Sequence, residues 1–450
     1  MLGKFLNGKT LKSRALKGGV VALSGFGAAQ GIRLVSNLIM TRLLAPDAFG
    51  LMGVTFALQI WIAMMSDLGL DASIVRSKRG TEPDFLATAR LMQLGRCMLI
   101  ASALAIVGAA LPSLVASGVI RPGSVYADPR LPVFIFTIAA SVTISGFSAM
   151  RIALHNRRLD LAPVIRLELG AQVIALCAMA TAALSGLGVY SLAVGAVVAE
   201  IAKSGGSHVF LKGPPARFGF KREHFDEIFH YGKWLIIAST FGFLVARGDQ
   251  IIFGWLFDLG AFSLYSIATI WILAGRTLVE TVQRRIAYPT LAELHRERPH
   301  DLTRVYRRIR LVYELGCLSL FAGVVLFADR AIALLYTDAY HGVAHYMKLL
   351  SLVLLLVPYR LLSSVLLTGG DSRRFTIVTV LPGTVLFGVT PLIYQRFGAD
   401  AAIVFAALTP ILAQPFNWKF ASKFIKVDYA RESMMAIVAV AAALLLLRFA

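Results

Sequence analysis

Acidic residues are scarce in this sequence, and charged residues of either sign are few. Only 25 of the 450 residues are Asp or Glu and 16% are charged in total, whereas 57% are hydrophobic. About a quarter of the residues are charged in an ordinary soluble domain. Stretches of about twenty apolar residues recur from end to end, and each is long enough to cross a bilayer. The sequence therefore predicts an all-α polytopic membrane protein and excludes a soluble globular domain.

The sequence also lacks the motifs of several enzyme classes. It has no Walker sequence for nucleotide binding, no cluster of His, Asp and Glu at metal-ligand spacing, and no outer loop long enough for a glycosyl-transfer site. Its three cysteines, Cys97, Cys177 and Cys317, all lie in apolar segments and show no disulfide or metal-binding pattern. These absences predict a protein that is not an enzyme and needs no metal or other cofactor.

Basic residues, by contrast, are plentiful and give a formal net charge of +20. Such a balance also suits nucleic-acid binding, but here the cations lie in short loops between apolar segments, where they act as topology signals. We therefore predict no nucleic-acid partner. The alternation of Lys/Arg-rich and Lys/Arg-poor loops predicts a cytosolic N-terminus. We expect residues 1–17 to form a basic, amphipathic lead-in on the membrane surface rather than a signal peptide.

The apolar segments divide the chain into two halves of six predicted helices. An N-lobe covers 18–211 and a C-lobe covers 231–420, joined by a cytosolic linker at 212–230. The predicted helices are 18–43, 48–70, 91–118, 131–154, 162–185, 188–211, 231–257, 260–283, 308–334, 345–368, 375–395 and 400–420. A C-terminal extension, 421–450, contains a thirteenth apolar stretch at 432–449, and the sequence does not decide whether this stretch spans the membrane.

The two halves contain a repeated segment. Residues 37–51 align without a gap on residues 250–264, and both carry an Ala-Phe pair at the same place. Arg33 lies one position from the equivalent of Arg247. Six helices followed by six in the same direction form a parallel repeat, related by an axis along the membrane normal. The sequence thus predicts two pseudo-symmetric six-helix lobes.

The segment from Gln30 to Arg76 identifies a family. It contains RLLAPDAFGL, in which Ala45-Pro46-Asp47 joins two apolar helices, followed by SDLGLDASIV. It resembles the polysaccharide transport branch of the multidrug/oligosaccharidyl-lipid/polysaccharide exporter superfamily, the Wzx-like flippases of lipid-linked oligosaccharides. The resemblance implies two lobes around a central cavity that opens alternately to each side, with an undecaprenyl-pyrophosphate-linked oligosaccharide as substrate.

Polar residues inside the predicted helices are the candidate substrate ligands. Gln30, Arg33 and Asn37 share one face of the first helix, and Arg247 and Gln250 share one face of the seventh. An arginine in mid-membrane costs about 2.5–3.5 kcal/mol, so it needs a wet cavity or a partner. Arginine suits a pyrophosphate through paired hydrogen bonds. A structural ion pair with a buried carboxylate such as Asp249 is the alternative for both arginines.

Further candidates are less distinct in the sequence. Arg360 follows Pro358, where a kink would expose it to the cavity. The candidates for ion coupling are carboxylates within or at the ends of the predicted helices, and each also has a structural interpretation such as capping, an interhelical hydrogen bond or a surface ladder. They are Asp249, Glu168, Asp67 and Glu280. Coupling to a proton or sodium gradient is expected.

These patterns predict a flippase or exporter of the bacterial inner membrane for surface polysaccharide, whether lipopolysaccharide O-antigen, capsule or exopolysaccharide. Its partners would be the lipid-linked oligosaccharide, membrane lipids and a polysaccharide polymerase or co-polymerase complex. Three rival functions remain open. A multidrug exporter of the same superfamily would place carboxylates in the cavity. The second rival is a flippase of lipid-linked peptidoglycan precursors, and the third is a membrane polysaccharide polymerase or ligase.

Overall fold

The computed structural model describes residues 11–158, 160–215, 217–283, 287–297, 299–368 and 372–448. Within these ranges the chain is helical apart from short connections, and the recorded β pairing is an isolated bridge between Ser124 and Asp258. The predicted all-α class is confirmed. The α-helices are α1 Leu11–Leu43, α2 Asp47–Met65, α3 Leu70–Arg76, α4 Pro83–Ala116, α5 Leu131–Ser145, α6 Arg151–Arg158, α7 Ala162–Ala182, α8 Ser191–Val209, α9 Arg222–Leu256, α10 Leu259–Val282, α11 Tyr288–Glu297, α12 Leu302–Leu335, α13 Val343–Leu356, α14 Tyr359–Thr368, α15 Ser372–Leu408, α16 Gln414–Ala421 and α17 Tyr429–Arg448.

The short turn between α1 and α2 forms where the sequence predicts it. Helix α1 ends at Leu43, and the Pro46 carbonyl accepts the first hydrogen bonds of α2, from the amides of Phe49 and Gly50. Asp47 lies in the first turn of α2, where a negative charge is favourable near the positive end of the helix dipole. Its carboxylate also pairs with Arg130 at 3.2 Å.

The repeated segment has matching helix boundaries in both halves. Helix α1 ends at Leu43 and helix α9 ends at Leu256, a separation in sequence equal to that between the aligned residues Asn37 and Gln250. Asn37 and Gln250 are each 7% exposed. The repeat seen in the sequence therefore corresponds to a repeated helix–turn–helix unit.

Eight helical stretches of the described residues are long and apolar enough to cross a membrane. Two of them, at 162–209 and 380–421, each cover two of the predicted spans and are interrupted by a glycine with positive φ. These glycines are Gly186 at 87° and Gly398 at 83°. Helices α1 and α9 are not among these eight stretches of the described residues. The protein is a multi-pass membrane protein.

Several predicted boundaries are wrong. The segment predicted at 48–70 ends at Met65, and a separate short helix, α3, follows it. The segment predicted at 131–154 is split, because α5 ends at Ser145 and α6 begins at Arg151. The segment predicted at 345–368 is divided into α13 and α14 just before Tyr359, since Pro358 cannot continue a helix.

The linker predicted at 212–230 is partly helical, because α9 begins at Arg222. Apolar residues in this first part of α9 pack inward, and Ile228 is fully buried in a cluster with Phe85 and Leu154. Its outward face pairs with the chain beside α3, where Ser77 donates to Glu227 at 2.6 Å. This amphipathic pattern explains why the helix begins about two turns earlier than the apolar span. The lead-in predicted at 1–17 falls largely on residues 1–10, outside the described residues.

The chain forms two compact units, one of 1–122 with 126–240, the other of 123–125 with 241–450. Each has its own apolar core. One core cluster of the first unit includes Leu70, Phe85 and Leu154. A core cluster of the second unit includes Leu291, Tyr306 and Leu361.

The thirteenth apolar stretch forms a helix that packs onto the second unit. In α17, Met435, Ala439 and Ala443 are buried at intervals of four residues, so they form one packed face. The exposed face includes Ile437 and Leu444. At about 1.5 Å per residue, its 20 residues reach about 30 Å, the thickness of the hydrocarbon core. Helix α17 is therefore long and apolar enough to span the membrane.

A buried polar network joins α17 to the rest of this unit. Arg310 of α12 is 1% exposed and pairs with Glu314 at 2.7 Å and with Glu432 of α17 at 2.9 Å. The hydroxyl of Tyr306 donates to Glu432 at 2.8 Å. The hydroxyl of Tyr359 donates to the Glu432 carbonyl and accepts a hydrogen bond from the amide of Ala436. This network, called the Arg310 network below, fixes the first turn of α17.

Candidate functional site

The predicted site residues of the second unit occupy neighbouring positions on α9 and α10. Asp249 accepts a hydrogen bond from the hydroxyl of Tyr265, a fully buried residue of α10. Arg247 is half-buried and lies within electrostatic range of both Asp249 and Arg276. Asp249 is thus held by Tyr265 on the neighbouring helix and also lies within electrostatic range of Arg247.

A second polar group lies further along α10. Glu280 accepts from Arg276 Nε at 2.7 Å and pairs with Arg360 Nη1 of α14 at 2.8 Å. The side chain of Arg360 remains 44% exposed, whereas those of Arg276 and Glu280 are 16% and 19% exposed. The spacing of four residues predicts this contact between Arg276 and Glu280. Arg284, four residues further along, falls outside the described residues.

The polar residues of this unit together form a row, called the C-lobe row below. It contains three arginines and two carboxylates, so its formal charge is positive. Its members are Arg247, Asp249, Arg276, Glu280 and Arg360. Helix α10 supplies the central part of the row, and the break at Pro358 lets Arg360 approach Glu280 from α14. An anion is the ligand that such an excess of guanidinium groups favours.

The candidate residues of α1 differ in their surroundings. Asn37 is 7% exposed, Gln30 is half-buried and Arg33 is exposed. Asn37 and Thr41, which is 2% exposed, lie one turn apart on a buried face of α1. Arg33 lies one turn earlier, where the helix side is open. Its guanidinium is accessible to a ligand.

Glu168 is the candidate carboxylate with the fewest contacts. It is half-buried on α7, a helix that packs against α1. No described residue forms a hydrogen bond or ion pair with it. One turn on, the Oε1 atom of Gln172 is buried and has no described hydrogen-bond partner. Glu168 and Gln172 therefore present two polar groups that a bound cation or proton would engage.

Asp67 is engaged at the end of α2. Its Oδ1 accepts from the amide of Gly69 at 3.1 Å and lies 3.7 Å from Arg96 Nη2. Its Oδ2 accepts from the hydroxyl of Ser239 at 3.3 Å. These contacts favour the capping interpretation for Asp67. The cation that pairs with it, Arg96, lies on the long helix α4.

Sequence reasoning missed three partners. Tyr265 binds Asp249, Arg96 pairs with Asp67, and Arg360 pairs with Glu280. Tyr265 lies sixteen residues from Asp249, a distance in sequence that is not a helical spacing. Among the described residues, no group of His, Cys, Asp and Glu has the arrangement of a metal site.

The profile of the family described as "Polysaccharide biosynthesis protein" matches residues 39–345, which is more than half of the chain. The chain belongs to this family. The match begins in α1 and extends into α13, so it includes helices from both units. No curated protein matches the chain significantly by sequence.

Solved structures show the same fold at low sequence identity. The lipid II flippase MurJ in an inward closed conformation matches with a TM-score of 0.69 and 11% identity, covering 95% of this chain and 91% of MurJ. An inward-facing multidrug resistance MATE family transporter of the MOP superfamily matches with a TM-score of 0.60 and 16% identity, covering 88% of this chain and 94% of the transporter. A MOP superfamily transporter from Pyrococcus furiosus matches with a TM-score of 0.54 and 14% identity, covering 93% and 97% of the two chains.

The family match and the shared fold confirm the resemblance read from the RLLAPDAFGL segment. The solved structures that share this fold are membrane transporters. The individual site residues stay predictions.

Proposed function

We propose that this protein is a flippase for undecaprenyl-pyrophosphate-linked oligosaccharides in the bacterial inner membrane. It would move each unit from the inner to the outer leaflet by alternating access, for lipopolysaccharide, capsule or exopolysaccharide. A polysaccharide polymerase or co-polymerase would receive the product. The observation that carries the proposal is the positive excess of the C-lobe row, together with the exposed Arg33 on α1.

The charge of these residues separates this function from its main rival. A multidrug exporter for organic cations needs carboxylates that are free to attract a positive charge. In the C-lobe row, Glu280 is already shared between Arg276 and Arg360, and Asp249 accepts a hydrogen bond from Tyr265. Glu168 of the first unit, which has no described partner, is assigned to ion coupling in this proposal. A pyrophosphate carries the negative charge that arginines bind through paired hydrogen bonds.

The direct test uses purified protein in liposomes that contain a fluorescent undecaprenyl-pyrophosphate-linked oligosaccharide. Movement between leaflets that depends on the protein and on an imposed ion gradient is the expected result. Transport of a cationic dye without movement of the lipid would support the multidrug alternative. Glycosyl transfer by the purified protein would support the polymerase or ligase alternative.

Membrane orientation gives a second test. The Lys/Arg distribution predicts that Lys212 faces the cytosol and that the loop before α13 faces outward. Tyr340 of that loop is only 1% exposed, so Asp338, whose side chain is fully exposed, is the better labelling position. In a Cys177→Ser background, an impermeant thiol reagent should modify Asp338→Cys and spare Lys212→Cys in intact cells. The reverse pattern would overturn the proposed orientation.

The Cys177→Ser background is chosen from the exposure of the native cysteines. Cys177 is exposed, whereas Cys97 and Cys317 are buried. The Cys177→Ser protein without an introduced cysteine should therefore show little labelling in intact cells. Labelling of both introduced cysteines after the cells are permeabilised is the control that each position is reachable.

Ion coupling gives a third test, with Asp249 and Glu168 as the leading carboxylates. Glu168→Gln removes a charge that no described residue pairs with, so we expect export to lose its dependence on the ion gradient while the protein stays folded. Asp249→Asn should also weaken the Tyr265 hydrogen bond and lower export. The measurement is flipping in liposomes at several external pH values and sodium concentrations. Unchanged ion dependence in both variants would remove these two carboxylates from the coupling mechanism.

A further inference from the structure

A pocket in the first unit, on the side that the Lys/Arg distribution makes cytosolic, is separate from both the C-lobe row and the Arg310 network. Helix α4 contributes Pro83 and Arg90, the start of α6 contributes Met150 and Arg151, and the segment before α9 contributes Pro214 and Arg217. Its empty space, including the open mouth, is about 350 Å³. It is called the Arg90 pocket below.

Arg90 is a buried cation without an anion. It is 7% exposed, and its Nε atom is buried with no hydrogen-bond partner among the described residues. No described carboxylate pairs with it, and its guanidinium lies 4.1 Å from the centre of the Phe218 ring. A buried charge is costly unless it is paired and hydrogen-bonded. The stacking contact leaves that requirement unmet, so the guanidinium is suited to an incoming anion.

The other charged groups of the Arg90 pocket are also positive. Arg151 donates to the carbonyls of His208, Leu211 and Pro214, which holds its guanidinium in place but leaves its charge unneutralised. Arg217 is exposed at the mouth. None of the described residues that line the pocket is acidic. Three arginines that line one pocket without a carboxylate favour a phosphate, which can accept several hydrogen bonds at once.

The surroundings of the pocket indicate where the phosphate would come from. Phe218 and Phe220 are 51% and 58% exposed, and Val209 and Phe210, at the end of α8, are 76% and 73% exposed. Large exposed apolar side chains beside a cluster of cations are typical of a surface that lies in a membrane interface. Anionic lipids of the cytosolic leaflet attract such basic segments.

We propose that the Arg90 pocket binds the phosphate of an anionic lipid headgroup, with Arg90 and Arg217 as ligands and the neighbouring phenylalanines in the lipid layer. The phosphate would satisfy the guanidinium of Arg90 and join α4 to the segment that precedes α9. This binding does not depend on the proposed transport substrate.

The test uses full-length protein in nanodiscs of phosphatidylcholine alone or of phosphatidylcholine and phosphatidylglycerol in equal parts. Retention of phosphatidylglycerol is measured by native mass spectrometry, and thermal unfolding is followed in both lipids. We expect phosphatidylglycerol to be retained and to raise the unfolding temperature of the wild type. Arg90→Gln should weaken this retention about tenfold or more, because a charge-assisted hydrogen bond is lost.

Two further variants make the result specific. Arg217→Gln, at the exposed mouth, should weaken retention without threatening the fold, and it replaces Arg90→Gln if that variant does not fold. Arg222→Gln removes another exposed cation that does not line the pocket, and it should retain the lipid as the wild type does. Equal losses in Arg217→Gln and Arg222→Gln would overturn the proposal in favour of non-specific attraction.

An inorganic phosphate titration in phosphatidylcholine nanodiscs distinguishes the source of the anion. Weak stabilisation by phosphate, with much stronger stabilisation by phosphatidylglycerol, is the expected result. Equal stabilisation by both would assign the pocket to a free anion and overturn the lipid assignment. No binding of either would overturn the site itself. None of these readouts measures transport, so their failure is distinct from failure of the flippase proposal.

Discussion

Export of surface polysaccharide is expected to stop when Arg33 and Arg247 are both replaced by alanine. The proposed mechanism uses the guanidinium groups of Arg33 and Arg247 to bind the pyrophosphate of the substrate as it is moved. A charge-assisted hydrogen bond is worth about 1.5–3 kcal/mol. The double variant should therefore lose about a hundredfold or more in substrate affinity. Complementation of a strain that lacks the gene measures export, and immunoblots of membranes measure abundance.

The single variants separate charge from geometry. Arg33→Lys keeps the positive charge but loses the planar fork that matches a phosphate, so it should keep partial export. Arg33 is exposed, and its removal should not disturb folding. Arg166→Ala is a matched control, because it removes another exposed arginine of the same unit. Full complementation by the double alanine variant would overturn the cationic mechanism and favour the structural interpretation of both arginines.

The largest loss of stability is expected from Arg310→Met in the Arg310 network. Arg310 is the cation that Glu314 and Glu432 share, and all three residues are buried. Its removal leaves two carboxylates together without a positive charge. Breaking a buried pair in this way costs about 3–5 kcal/mol. The measurement is thermal unfolding in detergent, with limited proteolysis between α16 and α17 as a probe of α17 docking.

Charge balance within the network predicts a different outcome for Glu432→Gln. That variant leaves Arg310 and Glu314 as a neutral pair, and the new amide oxygen can still accept from Tyr306, so its cost should be much smaller. Adding Glu314→Gln and Glu432→Gln to Arg310→Met should recover part of the lost stability, because the unpaired charges are then gone. Lys426→Gln, an exposed cation just before α17, is the control. An unfolding temperature unchanged by Arg310→Met would contradict this account.

The sequence alone determined the class of the protein and its family. Long apolar segments leave helices as the only arrangement that satisfies the backbone in a bilayer. Pro46 and Asp47 specify a turn through their own backbone and charge, and the structure has the turn there. The repeated segment has similar local sequence in both halves, so it predicted that α1 and α9 end at matching positions. Each of these features depends on residues that are close together in the chain.

The tertiary structure decided which polar groups meet. Glu280 has one partner at helical spacing, Arg276, which the sequence shows, and a second, Arg360, which only the packing of α14 brings near. Glu432 bonds with Tyr306, 126 residues away, and this contact shows that the last apolar stretch docks on the C-terminal half. From the sequence, Arg90 was interpreted only as one of the basic residues that indicate the cytosolic side. Its burial beside Phe218 depends on how the segment before α9 folds over α4. Helical periodicity fixes the neighbours on one helix, whereas contacts between helices depend on packing that no single segment encodes.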